Sequence, residues 1–271
     1  VFRYRLVLLK GLLEQALLYR LVLPAARHVF VQSDVMLAMM LTRGIARENL
    51  TAVPMGVDTE AFQPTSVIAQ RLPGWDDIPC IAYLGTLDRF RRLGQVVDAL
   101  AIVRLRHPNT RLLFIGDASS KEEVTDLLAH AKRLNLADAV HVTGWLPTTQ
   151  ALSLLAGADA AISFYPRGEL FDVGTPTKLL ESLALGIPSV GNDNPDQVQV
   201  LSESQSGWLT ESNSAALANA IQEILDDTVA ARERAKAGPT YIDAARSYRV
   251  IAARVAHRYQ NLVNPAKESI Q

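Results

Sequence analysis

The sequence predicts an α/β protein with a doubly wound parallel sheet, and three observations point to this class. From residue 80 onward, short apolar runs alternate with longer segments of helical periodicity. Strands and helices that alternate in this way form right-handed crossover units, which build a parallel sheet with helices on both faces. With 49% hydrophobic and 20% charged residues, a chain of 271 residues can bury a core, which excludes global disorder.

Breaks in this alternation of strands and helices mark the boundaries between the segments of the chain. A strand–helix–strand pattern over 28–53 comes before a connector bracketed by Pro54 and Pro64, and Gly238-Pro239 separates the last helical pattern from the sheet. The predicted segments are the C-terminal part of an N-terminal domain (1–53), a connector (54–77), the doubly wound domain (78–240) and a C-terminal helix that returns toward the N-terminal domain (241–271). Because the sequence begins at Val1 rather than at a methionine, we expect a piece of a longer protein.

Each element of the doubly wound domain has its own signal. Apolar runs predict strands, and apolar residues at helical spacing predict the helices between them. Ser120 is a suitable N-cap for the second of these helices. The predicted strands are 80–84, 111–115, 139–143, 159–164, 187–191 and 207–209, and the predicted helices are 93–106, 122–134, 148–155 and 176–185.

Composition excludes several classes of protein. A formal net charge of −1 argues against a nucleic-acid binder that relies on a basic surface. A single cysteine, Cys80, excludes a disulfide scaffold and a cysteine-rich zinc site, and it fits a reducing compartment. The five histidines lack ligand spacing, so we expect no metal site. Neither a Gly-x-Gly-x-x-Gly motif after a strand nor a Walker loop is present, which argues against dehydrogenases and P-loop enzymes.

Residues 1–27 are apolar and basic. Charged residues interrupt the apolar run too often for a transmembrane helix, yet five basic residues stand against Glu14 alone. Two interpretations stay open. The segment is either an amphipathic helix packed on another domain or a peripheral contact with an anionic membrane surface.

The loop after the strand at 80–84 carries glycine and three arginines. Gly85 and Thr86 begin it, and Arg89, Arg91 and Arg92 follow within four positions. Ligands of open parallel sheets bind outside the carboxyl ends of the strands, where glycine lets a backbone approach them closely. Guanidinium groups match phosphate oxygens, whereas a cation at the start of a helix opposes the helix dipole. We therefore expect at least one of these arginines to bind phosphate; the alternative is a solvated basic stretch.

The next two strand ends carry glycine turns. Gly116 and Asp117 follow the second strand, and such a turn indicates little by itself. Gly144, Trp145 and Leu146 follow the third strand, in a loop against which a nucleotide base can lie. The alternative for Trp145 is a packed aromatic side chain.

The loop after the fourth strand has the strongest signal. Thr175 predicts an N-cap, and Pro176 suits the first position of the helix that follows. The free amides of 174–177 and the helix dipole form an anion site, to which Lys178 adds a cation. Glu181 lies beyond the first turn, where its carboxylate can accept hydrogen bonds from the vicinal hydroxyls of a sugar. A cap, a proline and a glycine can serve structure alone, but the pair of Lys178 and Glu181 indicates a binding site.

Several segments together carry a family resemblance. They are Gly-Thr-Leu-Asp-Arg (85–89), Leu-Phe-Ile-Gly-Asp (113–117), Val-Thr-Gly-Trp-Leu-Pro (142–147) and Pro-Thr-Lys-Leu-Leu-Glu-Ser-Leu-Ala-Leu-Gly-Ile-Pro-Ser-Val (176–190). These segments resemble the nucleotide-sugar half of retaining GT-B glycosyltransferases, the large family of glycosyl transferases group 1. Upstream, Val31-Gln32-Ser33-Asp34 and Val53-Pro54-Met55-Gly56-Val57-Asp58 match the way such enzymes leave their first domain, so the resemblance covers essentially the whole chain.

The resemblance implies a Rossmann-like GT-B domain that holds a nucleoside-diphosphate sugar, beside the remnant of a second Rossmann-like domain. By this resemblance Arg91, or its neighbours Arg89 and Arg92, contacts the diphosphate, and Glu181 contacts the ribose. The amides from Gly174 to Thr177 face the distal phosphate or the sugar. The resemblance also implies retention of configuration at the anomeric carbon and no cofactor besides the donor substrate.

Two positions depart from the family pattern. Members usually carry a glutamate eight residues before the ribose glutamate, where this chain has Val173. Asp172 and Glu169 are acidic neighbours, but neither is in register. Thr86 stands where an arginine is frequent. We therefore expect sugar and phosphate contacts that differ from those of the family.

Together the residues and the resemblance predict a metal-independent glycosyltransferase, in which arginines and a helix N-terminus stabilise the leaving diphosphate in place of a divalent ion; that it is a retaining enzyme is implied by the resemblance. No catalytic nucleophile is identifiable from the sequence. We expect an acceptor that is a cell-envelope or lipid-linked glycan, and a cytoplasmic location at the inner face of the membrane. Two alternatives stay open: a non-catalytic or truncated nucleotide-sugar-binding module, which Val173 favours, and a GT-B nucleotide-sugar epimerase.

Overall fold

The computed structural model describes residues 2–264, with side chains from Leu9 onward. It divides into two compact units, the first ending at Pro54 and the second beginning at Met55. The side chains of Arg3 and Arg5, which contribute to the basic character of the first segment, lie outside the described residues. So does 265–271, the end of the C-terminal segment, and the predicted return of that segment toward an N-terminal domain stays a prediction.

The first unit contains a small parallel sheet. Its elements are α1 (Phe2–Leu17), α2 (Leu23–Ala25), β1 (Val29–Val31), α3 (Asp34–Thr42) and β2 (Leu50–Ala52). The two strands pair in parallel, with Phe30 opposite Thr51. Ser33 caps α3 by accepting a hydrogen bond from the Met36 amide at 3.1 Å. The strand–helix–strand pattern predicted over 28–53 is therefore present.

Helix α1 has many exposed apolar side chains. Leu9, Leu12, Leu13 and Leu17 are each more than half exposed. Within residues 2–264, no helix has both the length and the apolar character needed to cross a membrane. What covers the leucines of α1, another domain or a membrane surface, stays a prediction.

The second unit is the doubly wound domain, and all six predicted strands are present. Its elements are β3 (Cys80–Leu84), α4 (Gly94–Val103), β4 (Arg111–Ile115), α5 (Lys121–Arg133), β5 (Val140–Val142), α6 (Thr148–Ala156), β6 (Ala160–Ser163), α7 (Glu169–Asp172), α8 (Thr177–Ala184), β7 (Ser189–Asn192), α9 (Pro195–Ser204), β8 (Trp208–Thr210), α10 (Ser214–Asp226), α11 (Thr228–Ala235), α12 (Ala237–Tyr241) and α13 (Tyr248–Val263).

The six strands form one parallel sheet with the order β5-β4-β3-β6-β7-β8. The side chains of β3 show how both faces are covered. Ile81 and Tyr83 belong to one buried cluster, and Cys80 and Ala82 belong to another. Successive strand residues point to opposite faces, so a strand buried on both sides is apolar throughout, as this one is.

The C-terminal helix predicted from residue 241 is broken. A π-helical turn over Ile242–Arg246 leads to Ser247, whose backbone is extended, and α13 begins one residue later. Ser247 caps α13 by accepting a hydrogen bond from the Val250 amide at 3.3 Å. At the break, the amide of Val57 donates to the carbonyl of Arg246 at 2.9 Å, and the amide of Tyr248 donates to the carbonyl of Val57 at 3.0 Å. The helix ends because the connector takes up its backbone groups, which helical periodicity does not reveal.

Ser120 caps α5, as the sequence predicts. Its hydroxyl accepts a hydrogen bond from the Glu122 amide at 3.2 Å. We expect Ser120→Ala to lower the free energy of unfolding by about 1 kcal/mol, because one amide of the first turn loses its acceptor. Urea denaturation measures the change. Ser120→Asp, which restores an acceptor oxygen, should recover most of the loss, and equal stability of the alanine variant and the wild type would contradict the capping role.

Candidate functional site

The strand order creates one crevice at the carboxyl edge of the sheet. From β3 the chain moves outward through β4 to β5, then returns to place β6 on the other side of β3. Loops that leave β3 and β6 therefore diverge to opposite sides of the sheet. Such a switch point is where open parallel sheets bind ligands. The loop with the three arginines follows β3, and the segment after β6 leads into α8, which carries Lys178 and Glu181.

The loops after β3, β4 and β5 contact one another at or next to their glycines. The Leu87 amide donates to the carbonyl of Asp117 at 2.9 Å, and Gly116 and Gly144 form an isolated bridge. Gly116 has a φ of +143°, and a Cβ built on it would lie 2.2 Å from the carbonyl oxygen of Gly85. A side chain at this position would force the first two loops apart. The glycines after β3, β4 and β5 therefore serve one local structure.

A cavity of about 190 Å³ lies against these loops. Its lining includes Gly85, Gly116, Trp145, Leu146 and Glu181, which come from four different loops and helices. Trp145 is 67% exposed, so the alternative of a packed core aromatic is wrong. The structure thus brings together site residues that the sequence predicts separately.

Lys178 lies across the first loop. A Cβ built on Gly85, whose φ is +135°, would lie 2.0 Å from Cε of Lys178. Glycine therefore leaves the space that the lysine stem fills. The Lys178 ammonium donates a hydrogen bond to the Tyr165 hydroxyl at 3.3 Å. A cation from the start of α8 is thereby held beside the end of β3.

Of the three arginines, Arg91 is the one whose guanidinium lies over rings of the loop after β6. It is 4.6 Å from the centroid of Tyr165 and 5.8 Å from that of Phe171. Arg91, from the loop after β3, and Lys178, from α8, therefore contact the same aromatic side chain. The Arg91 guanidinium and the start of α8 thus lie beside one ring, and phosphate binding by Arg91 stays a prediction.

The other two arginines of the loop have different surroundings. Arg89 pairs with Glu123 at 3.4 Å and with Asp126 at 3.7 Å, both on α5, and its side chain is 65% exposed. Arg92 is exposed and has a left-handed backbone, with a φ of 51°. Phosphate binding by Arg89 or Arg92 stays a prediction.

Glu181 lies in the cavity lining with little access to water. Burial raises the pKa of its carboxyl, while the nearby Lys178 ammonium and a hydrogen bond with Thr177 act in the opposite direction. A half-buried carboxylate that faces a cavity is able to accept hydrogen bonds from a bound polyol.

The start of α8 differs by one residue from the prediction. The helix begins at Thr177, and Pro176 takes the N-cap position with no side-chain cap hydrogen bond. The ψ of Pro176 is 95°, an extended value, so this proline precedes the helix instead of forming its first turn. The helix thus begins one residue later than the prediction, which placed the cap at Thr175. Lys178 and Glu181 remain in the first turns, as the site requires.

Val173 stands where the family usually has a glutamate, and hydrogen bonds fix the residue just before it. Asp172 makes two hydrogen bonds with the guanidinium of Arg167, at 2.9 and 3.0 Å. This guanidinium lowers the pKa of the Asp172 carboxyl. Val173 and Gly174 are half-buried just before α8. Asp172 is therefore already paired and does not stand in for the missing glutamate as an unpartnered carboxylate.

Sequence reasoning missed the residue at the centre of this arrangement. Tyr165 is 9% exposed, and its backbone is held by Asn192. The Tyr165 amide donates to Oδ1 of Asn192 at 2.8 Å, and Nδ2 of Asn192 donates to the Tyr165 carbonyl at 2.6 Å. Its position two residues after the end of β6, at the switch point, is the signal that would have indicated it.

The histidines serve local contacts. His107 pairs with Asp226 at 3.0 Å, and His130 pairs with Asp98 at 2.7 Å. In the part of the chain that the structure describes, no three His, Cys, Asp or Glu residues are grouped to hold a metal ion.

Solved structures share this fold. HepE from Anabaena, in complex with UDP and glucose, matches with a TM-score of 0.73 and 18% identity, covering 90% of this chain and 66% of HepE. A glycosyltransferase from Rickettsia africae matches with a TM-score of 0.74 and 17% identity, covering 91% of this chain and 66% of that protein. At this level of identity the likeness establishes the fold.

Sequence comparison identifies curated relatives and a family. Glycogen synthase of Mycobacterium tuberculosis is 27% identical over 183 residues, which cover 66% of this chain and 42% of the relative. The putative colanic acid biosynthesis glycosyltransferase WcaL of Escherichia coli is 25% identical over 200 residues, covering 71% of this chain and 47% of the relative. The chain thus spans less than half the length of these relatives. The model of the family described as "Glycosyl transferases group 1" matches residues 70–240, well over half of the chain, and the chain therefore belongs to this family.

Proposed function

We propose that this chain is the donor-binding part of a glycosyltransferase that moves a sugar from a nucleoside-diphosphate sugar to an acceptor. The observation that carries the proposal is the meeting of two cations and a carboxylate at the switch point. Arg91 and Lys178 contact one ring, Lys178 lies over Gly85, and Glu181 lines the cavity beside Gly85. A diphosphate beside a ribose presents the matching charges and hydroxyls.

The two cations would act on the leaving group. Glycosyl transfer breaks the bond between the anomeric carbon and the diphosphate oxygen, so negative charge grows on the diphosphate while the sugar becomes oxocarbenium-like. A cation about 4 Å from such a charge gains about 4 kcal/mol of Coulomb energy at an effective dielectric constant near 20. Donors that are already in place at the start of the reaction lower the barrier without reorganisation. Amides at the start of α8 add to the same field.

The cavity lined by Gly85 and Glu181 would hold the nucleoside. Glu181 would accept hydrogen bonds from the ribose hydroxyls, and a base would lie against Trp145 and Leu146, which line the same cavity. The chain's similarity to HepE, which was solved with UDP, supports a uridine nucleotide as the first probe.

A thermal-shift panel on the 271-residue chain tests the proposal. The panel contains UDP, ADP, GDP and their glucose conjugates, with inorganic pyrophosphate beside them. We expect at least one nucleoside diphosphate to raise the melting temperature, since a ligand at a hundred times its Kd stabilises the folded state by about 2.7 kcal/mol. A flat response to every nucleotide would overturn the proposal.

We propose further that binding and transfer require no divalent metal, because Arg91 and Lys178 supply the positive charge. The affinity for UDP measured by calorimetry should be the same in excess EDTA and in excess Mg²⁺. A marked loss of affinity in EDTA would contradict metal independence. Inorganic pyrophosphate, measured alongside, separates a metal effect on the phosphates from one on the nucleoside.

The acceptor and the stereochemistry belong to the same proposal. A cell-envelope or lipid-linked glycan is supported by the similarity to WcaL, a putative colanic acid glycosyltransferase, and such an acceptor fits a cytoplasmic enzyme at the inner face of the membrane. Retention of the anomeric configuration rests on the family resemblance, and NMR of the product would test it. Donor binding without transfer in the full-length protein would favour the binding-module alternative, which Val173 supports. Conversion of the sugar without an acceptor would favour an epimerase.

A further inference from the structure

We propose that Tyr165 is a positioning residue for the donor diphosphate: its buried ring holds Arg91 and Lys178 together at the switch point. The inference rests on the proposed function and adds to it a residue outside the motifs that carry the family resemblance. It follows from three sets of contacts, on the backbone of Tyr165, on its ring face and on its hydroxyl.

The backbone of Tyr165 is fixed more firmly than that of an ordinary loop residue. Asn192, on β7 and 1% exposed, clamps the amide and the carbonyl of Tyr165 with its one carboxamide. Gln197 in turn donates to Oδ1 of Asn192 at 2.9 Å, and Nδ2 of Asn192 donates to the Ser212 hydroxyl at 2.7 Å. A buried amide whose groups are all engaged is costly to displace, so the ring is attached to a rigid part of the sheet.

The ring face carries Arg91. The guanidinium lies 4.6 Å from the ring centroid, within the distance at which a cation is attracted to an aromatic face. Phe171 lies edge-on to Tyr165, with 6.4 Å between centroids, and adds a second ring 5.8 Å from the same guanidinium. A contact with a ring face engages the charge of the guanidinium and does not need its five N–H donors. Arg91 therefore keeps its donors for an anion while its orientation is restricted.

The hydroxyl side carries Lys178. Its ammonium donates to the Tyr165 hydroxyl at 3.3 Å and lies 5.7 Å from the ring centroid. One hydrogen bond leaves two ammonium protons for another acceptor. Two like charges would otherwise move apart when no anion is bound. The electron-rich ring and the hydroxyl oxygen are favourable partners for the two cations, which offsets that repulsion and keeps both at Tyr165.

This arrangement predicts a preorganised anion site. In its absence, two long side chains would have to be ordered when the diphosphate binds, which costs conformational entropy. Tyr165 need not touch the donor to contribute. Its effect should therefore pass through Arg91 and Lys178, which distinguishes positioning from direct contact.

A double-mutant cycle on the 271-residue chain tests the inference, with UDP and inorganic pyrophosphate as probes in calorimetry. We expect Tyr165→Leu to weaken UDP binding about fivefold, the size of one cation–π contact. In the Arg91→Gln background the same substitution should have less than half of that effect on the logarithm of Kd. Tyr165→Phe, which keeps the ring, should stay closer to the wild type than to Tyr165→Leu. A structural role alone would produce the same loss in both backgrounds.

The outcomes separate the inference from the proposed function. If the wild type binds neither UDP nor any other nucleoside diphosphate, the proposed function fails first. If the wild type binds UDP and Arg91→Gln weakens it, but Tyr165→Leu has no effect or an additive one, the positioning role alone is overturned. Should Tyr165→Leu fail to fold by circular dichroism, Phe171→Leu removes the second ring under Arg91. It should then show a smaller loss with the same dependence on Arg91, and an additive loss would count against positioning.

Discussion

Arg91→Gln should weaken the binding of UDP to this chain at least tenfold, which corresponds to about 1.4 kcal/mol. The guanidinium lies over the rings of Tyr165 and Phe171, and the Lys178 ammonium donates a hydrogen bond to the Tyr165 hydroxyl. Glutamine preserves a polar side chain of moderate length but removes the charge and the forked donors that match phosphate oxygens. Calorimetry of UDP and of inorganic pyrophosphate measures the loss, and both ligands should be affected because the contact is with phosphate.

Arg89→Gln is the matched control for this prediction. It removes the same kind of side chain from the same loop, but Arg89 pairs with Glu123 and Asp126 on α5. Because these pairs hold the Arg89 guanidinium at α5, UDP affinity should stay within about twofold of the wild type. A larger loss from Arg89→Gln than from Arg91→Gln would mean that the wrong arginine has been assigned to the diphosphate.

Glu181→Ala should weaken UDP about ten- to a hundredfold, the range expected when a charge-assisted hydrogen bond is removed from a half-buried site. The affinity for inorganic pyrophosphate should remain unchanged or rise slightly. The reason is electrostatic. The Glu181 carboxylate lies beside Lys178 and opposes its charge, so its removal strengthens the field that a bare diphosphate meets. The ratio of the two affinities therefore isolates the ribose contact.

A control variant and a control ligand test whether the loss of UDP affinity in Glu181→Ala comes from the ribose contact. Glu233→Ala removes an exposed glutamate that pairs with Lys236, and it should change neither affinity. The 2′,3′-dideoxy analogue of UDP should bind Glu181→Ala as well as the wild type or slightly better, because it lacks the hydroxyls that the carboxylate would accept from. Equal losses for UDP and pyrophosphate on Glu181→Ala would remove the ribose from this residue.

Much of the architecture was predictable because it depends on local patterns in the sequence. All six strands of the main sheet come from apolar runs, and a strand buried on both faces has no polar alternation to obscure it. Ser120 was recognisable as a cap because capping depends on residues next to each other in sequence. The broken C-terminal helix was not predictable, since the Ser247 break depends on a backbone pair with Val57, far away in the chain.

Some residues of the candidate site were likewise predictable from local patterns, and others were not. The glycines after three strands, the cation Lys178 and the carboxylate Glu181 were recognisable by their places at the carboxyl ends of strands and at the start of a helix. The choice of Arg91 among three arginines was not, because neighbours in one loop share the same local pattern. Tyr165 was not predictable as a site residue either, because an aromatic residue after a strand is usually part of the core.

By itself, the amino-acid sequence determined the class of fold, its family and the loops in which binding residues stand, because periodicity and motif spacing report which faces are buried and where strands end. Only the tertiary structure decided which side chains meet. Whether Lys178 fills the space above Gly85, and whether Arg91 rather than Arg89 shares the Tyr165 ring with it, depends on the lateral order of the strands and on contacts between distant segments. Those contacts arise from packing across the switch point, and no local pattern in the chain encodes them.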